Sequence, residues 1–112
     1  MSSFQNNLAS LGLTLPQAPK PVASYIPAVK SGNLVYISGQ LPFRDGALMA
    51  TGPVPSATSV EAAQAAARQC ILNGLAVLGD QIGGDFSRVV RVVRVGAFVC
   101  SDNGFTEQPK VA

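Results

Sequence analysis

Lys30-Ser31-Gly32-Asn33-Leu34-Val35-Tyr36-Ile37-Ser38-Gly39-Gln40-Leu41-Pro42 is the stretch on which the fold turns. Ser31-Gly32-Asn33 clusters three turn formers. Leu34 to Ile37 follows as a strand rich in β-branched and aromatic side chains. Gly39 then marks a point where the backbone bends or is closely approached. Upstream, Val22 to Val29 reads as a first strand interrupted by Pro27, which suits an edge or a bulge because proline has no N–H for a ladder. Downstream, Asp45-Gly46 is a hairpin turn, since both positions tolerate positive φ. It joins Leu41-Pro42-Phe43 to Ala47-Leu48-Met49-Ala50.

Beyond the hairpins the periodicity changes. Thr58-x-x-Glu61 reads as a capping box opening a helix. Ala63, Ala67, Cys70, Ile71, Gly74, Leu78 and Ile82 follow at helical spacing, and Gly83-Gly84 closes the segment as glycines after a helix do. Arg91 to Val99 is valine-rich, which favours a strand, and valine on both of its faces implies burial on both sides. Phe105 to Ala112 begins another element. At the other end, Asn7 to Gly12 holds one short helical turn, and the prolines of 15–21 make an extended leader. The order β-β-β-α-β predicts an α+β fold, a mainly antiparallel sheet with a helix on one face. The other face then needs cover from an oligomer partner or from further chain.

Composition sets the limits on function. Of 112 residues 47% are hydrophobic and only 12% charged, against about 25% charged in ordinary soluble domains. Self-association, or an open core edge, explains that balance. A net charge of +2 is too small to argue for nucleic acid. Neither an N-terminal signal pattern nor an apolar run of membrane-spanning length is present, so the expectation is a soluble, cytoplasmic protein. Cys70 and Cys100 have no metal spacing and read as reduced core thiols, with a disulfide as the alternative. The chain has no histidine, which removes Ser-His-Asp and Cys-His catalysis and the HExxH zinc site. Glu61 reads as a helix N-terminal charge. On a strand, Arg88 and Arg94 share one face and Arg91 takes the other, so the arginines form no continuous patch. By themselves Tyr25 reads as a core or rim residue and Ser38 as a turn or bulge residue.

Together these residues resemble something more specific. Tyr25-Ile26-Pro27-Ala28-Val29-Lys30-Ser31-Gly32-Asn33, the strand, and Ser38-Gly39-Gln40-Leu41-Pro42 are similar to the opening pattern of the YjgF/RidA family: a tyrosine, Ala-Val, Gly-Asn, a strand and Ser-Gly-Gln-x-Pro. Val92 to Val99 resembles its Val-Lys/Arg strand, with Arg94 at the strand cation. Ala65 to Asn73 resembles a divergent subgroup labelled endoribonuclease L-PSP or translation-initiation inhibitor. The likeness runs from Pro21 to the end.

It implies a chorismate-mutase-like, YjgF-type α+β domain over 1–112 with residues 1–21 as leader, assembled as a homotrimer. It implies hydrolysis of reactive 2-imino or 2-enamino acids to 2-keto acids and ammonia. No cofactor, metal or membrane partner is expected, and the weak net charge and the lack of histidine weigh against nucleic acid. Tyr25, Ser38 and the Gly39 backbone would bind substrate. The family's carboxylate-binding arginine and its water-activating glutamate lie past the position of Ala112, with a second helix and two strands, so the catalytic residues stay unassigned. The expectation is a fragment, a processed chain or a truncated product with little activity of its own. A non-catalytic small-molecule-binding or regulatory member, or an endoribonuclease or translation inhibitor, is the alternative.

Overall fold

Tight turns come first, because they set which residues face each other. In the computed structural model, which describes residues 3–20 and 24–112, Gly32 has φ 58° at the first position of a two-residue loop. The loop joins β1 (Ala28–Ser31) to β2 (Leu34–Ile37). These strands pair antiparallel with Ala28 opposite Ile37 and Ser31 opposite Leu34. Asp45 and Gly46 both take positive φ, 53° and 82°, which is the turn whose twist matches a hairpin. They join β3 (Phe43–Arg44) to β4 (Ala47–Leu48), with Phe43 opposite Leu48.

Both hairpins are shorter than their sequences suggest. The first strand starts after Pro27, and Ser24 to Pro27 is a run of bends. Val22 and Ala23, which the sequence reading placed in that strand, lie outside the described residues. Leu41 and Pro42 stay out of the second ladder, although Pro42 still accepts a hydrogen bond from the Met49 N–H at 3.0 Å. Among the described residues the strands form two separate two-stranded sheets rather than one. The architecture is α+β, antiparallel strands accompanied by one long helix.

That helix, α2 (Val60–Gln81), runs 22 residues. Its cap differs by one residue from the expected box. Ser59 Oγ accepts the Ala62 N–H at 3.1 Å, and the Ser59 carbonyl accepts the Ala63 N–H at 2.9 Å. Thr58 is buried and donates instead to the carbonyls of Thr51 and Gly52, at 2.9 and 3.3 Å. A hydroxyl in a buried position goes to the nearest unpaired carbonyl, and here that lies in the preceding loop. Glu61 keeps its place in the first turn. The buried face is also rotated from the expected stripe: Ala63, Ala66, Leu72, Asn73, Ala76 and Val77 are buried, whereas Ile71 is 50% exposed.

The chain divides into two compact units. In the first, formed by Met1–Gln40 and Leu72–Val93, α1 (Ser3–Ser10) and the 3₁₀ turn Phe86–Arg88 meet through stacked Phe4 and Phe86 rings with centroids 3.8 Å apart. The Phe86 ring also lies over Gly79 of α2, where a Cβ would approach it to 3.2 Å. The aromatic stack accounts for a helix longer than the single turn expected there. In the second unit, Leu41–Ile71 with Arg94–Ala112, the core is Val54, Ala63 and Val111, with Val60, Ala67, Val99 and Phe105 packed on it. The terminal element is a short helix, α3 (Gln108–Val111).

The valine-rich segment departs most from expectation. Arg91 to Val99 forms no strand, and Val90 and Phe98 are 94% and 103% exposed rather than buried on two faces. Strand propensity records how well a side chain fits a pleated neighbour. Among the described residues this segment has no such neighbour. Pairing resumes only where Val54 bridges to Ser101, through Val54 N–H to Cys100 O at 2.9 Å and Asp102 N–H to Val54 O at 2.8 Å.

Replacing Ser59 with alanine should therefore lower stability by about 1 kcal/mol, the usual worth of an N-cap. Glu61→Gln should cost only a few tenths by loss of a favourable helix-end charge. Urea unfolding followed by far-UV circular dichroism checks the order; an unchanged stability in Ser59→Ala would contradict the cap at Ser59.

Candidate functional site

Ser38 follows β2 and continues its ladder by one more pair. Its N–H donates to the Pro27 carbonyl at 2.9 Å, a contact proline permits because it only has to accept. Its hydroxyl donates to the Ile26 carbonyl at 2.6 Å. Two donations from one residue thus tie Ser38 and Gly39 to the segment that carries Tyr25. The structure brings these regions of the chain, 12 residues apart, to one end of the first hairpin. Tyr25 is 40% exposed in the bend ahead of β1.

Gly39 is exposed, and a Cβ built there meets nothing within 4 Å. Among the described residues its N–H has no hydrogen-bond acceptor. Gln40, partly buried, turns its side chain back, and Nε2 donates to the Ser38 carbonyl at 2.9 Å. Gln40 was not singled out by the sequence beyond its place in Ser-Gly-Gln-x-Pro. Among the described residues the hydrogen bonds at this end of the hairpin involve no charged side chain. The arrangement offers a small ligand an accessible backbone donor at the end of the hairpin that adjoins the bend carrying Tyr25.

The other polar groups serve the scaffold. Asp102 accepts from the Ser56 N–H and Oγ, both at 2.8 Å, fastening two loops of the second unit. Asp85 caps the 3₁₀ turn by accepting from the Ser87 N–H at 3.2 Å. Glu107 pairs with exposed Lys110 at 2.6 Å, which holds the Lys110 ammonium above its usual range. Arg88 reaches the Ile82 carbonyl at 3.4 Å, while Arg91 and Arg94 lie in the exposed segment. With no strand there, the expected division of the arginines between two faces does not arise. Among the described residues no group of three His, Cys, Asp or Glu side chains is placed to hold a metal ion. No helix among them is long and apolar enough to cross a membrane.

Both cysteines are free thiols. Cys70 is half-buried on α2, and burial pushes its thiol up, opposed by a backbone hydrogen bond. Cys100 is exposed, not the core residue expected.

Residues 15–112 match the protein family described as Endoribonuclease L-PSP. Protein TCP17 of Trypanosoma cruzi is 42% identical over 106 residues, covering 95% of this chain and 66% of its own length. RutC family protein y4sK of Sinorhizobium fredii (strain NBRC 101917 / NGR234) is 39% identical over 74 residues, covering 66% of this chain and 52% of its own. The chain thus spans between about half and two thirds of these curated relatives. Among solved structures, the protein Atu1372 of Agrobacterium tumefaciens, described as of unknown function, superposes with a TM-score of 0.83 at 40% identity, over 95% of this chain and 63% of its own. A putative endoribonuclease from Shewanella oneidensis MR-1 gives 0.83 at 28% identity, over 96% and 70%.

The two thiols should differ in reactivity, because only a thiolate attacks an alkylating agent and burial disfavours the thiolate. With iodoacetamide near pH 8, peptide mapping should find Cys100 modified well before Cys70. Equal rates would contradict the placement of Cys70 on the inner side of α2.

Proposed function

On the premise that the chain belongs to the YjgF/RidA family, described as endoribonuclease L-PSP, we propose that it carries part of a site for hydrolysing small 2-imino or 2-enamino acids. Water adds to the C=N carbon, ammonia leaves, and a 2-keto acid remains. An imine already hydrolyses unaided, so a protein accelerates the reaction mainly by orienting the substrate and meeting developing charge with fixed dipoles. Such a site needs no histidine and no metal. The observation that carries the reading is the Gly39 N–H, exposed and without an acceptor among the described residues, beside a Ser38 fixed by two hydrogen bonds. In this proposal Tyr25 lines the ligand, and Ser38 and Gly39 hold it.

A second reading, small-molecule binding without turnover, is favoured by the lack of any charged side chain in the hydrogen bonds at that end of the hairpin. A charge-assisted contact to a substrate carboxylate is worth on the order of 2 kcal/mol. We propose that the family's arginine past the position of Ala112 supplies it. RNA cleavage has less support, since the chain offers neither histidine nor strong positive charge. The exposed Val90, Val92, Val93, Val95 and Phe98 and the low charge content suit a subunit of a homotrimer, as proposed here for a cytoplasmic protein.

The test generates 2-iminopropanoate in situ with an amino-acid oxidase and follows its loss against the uncatalysed rate. Residues 1–112 alone should give little acceleration. The chain carrying the family's C-terminal strands should accelerate the loss, and Ser38→Ala in that longer chain should lower the rate by about tenfold, or ~1.4 kcal/mol. Strong turnover by residues 1–112 would show that the site lies elsewhere. No turnover by the longer chain, with 2-keto acid binding intact, would favour the non-catalytic reading.

A further inference from the structure

Gln40 sits one residue past the proposed donor and touches it only through the backbone. Its Nε2 donates to the Ser38 carbonyl at 2.9 Å. Its side-chain stem rests on α2 at Gly74, where a Cβ would stand 3.8 Å from Gln40 Cγ. Gly74 and Gln40 are both partly buried, within the first unit. The Ser38 carbonyl and the Gly39 N–H belong to one peptide group. In a planar trans peptide those two bonds point in opposite directions. Whatever fixes the carbonyl therefore fixes the N–H.

Building on the site reading above, we propose that Gln40 is a positioning residue. It holds the Ser38 carbonyl on the α2 side and, through the rigid peptide, aims the Gly39 N–H into open space as the donor for a ligand's carboxylate or carbonyl oxygen. Ser38's own bonds, from its side chain to Ile26 and from the preceding peptide's N–H to Pro27, fix the residue from which this peptide leaves. The peptide is thus held at its carbonyl by Gln40, next to a fixed Ser38, while among the described residues its donor stays unpaired.

Two substitutions separate this role from simple packing. Gln40→Met keeps the stem over Gly74 and removes the donor. Gln40→Glu keeps the shape and donates only when its carboxyl is protonated. Pyruvate, a stable 2-keto acid, is the probe, and the ¹⁵N-labelled Gly39 amide is the reporter. Pyruvate should shift the Gly39 resonance, and Gln40→Met should weaken its binding about five- to tenfold, the worth of one hydrogen bond. Gln40→Glu should bind weakly at neutral pH and recover toward the parent as pH falls through about 4.3, while Gln40→Met shows no such recovery. Resonances of β1, β2 and α2 should stay in place, showing an intact fold. If both variants bind pyruvate like the parent at every pH, the proposal is overturned. If pyruvate binds to none of them, the site reading fails, and the ligand-free Gly39 amide decides on Gln40. A Gly39 shift change in Gln40→Met, larger than those of its hairpin neighbours, supports the positioning role, and an unmoved amide overturns it.

Discussion

The two hydrogen bonds donated by Ser38 are the constraint on which the candidate site depends. A four-residue hairpin ladder is weak in isolation. Its open end would fray if nothing held it. Ser38 closes that end from both its backbone and its side chain, onto consecutive carbonyls at Ile26 and Pro27. Proline is tolerated opposite it because only an acceptor is required there. Closing the ladder at this point stops regular pairing and leaves Gly39 turned outward, next to the bend that holds Tyr25.

Much of the local structure is legible in the sequence because it depends on few neighbours. Gly32-Asn33 and Asp45-Gly46 specify turns through backbone conformations that other residues reach at a cost. Helix α2 is legible from its small and apolar periodicity and from Gly83-Gly84. Its cap is less so. Thr58 and Ser59 are adjacent and chemically alike, and the choice between them was made by the carbonyls of Thr51 and Gly52, which no helix pattern reveals. The buried face of α2 shifted as well, since a count of apolar positions passes over Asn73, whose side chain is buried in the structure.

The valine-rich segment shows where local reading ends. Its composition favours a strand, and the structure makes none there. A ladder needs a second chain segment at the right distance, and nothing within Val89 to Val99 says which segment that is. The candidate site divides in the same way. Ser38, Gly39 and Tyr25 stood out only through resemblance to a family pattern, to which the chain does belong. Gln40 was part of that pattern without a role. Its approach to α2 near Gly74 crosses a long stretch of sequence and leaves no periodic trace, so only the structure could supply it.

Hydrogen exchange at single amides tests the central claim most directly. The Ser38 N–H, bonded to Pro27, should exchange as slowly as the bonded amides of β1 and β2, while the adjacent Gly39 N–H exchanges close to the rate of an unprotected chain. A Ser38 amide that exchanges as fast as Gly39 would contradict the closed hairpin end, and with it the fixed donor.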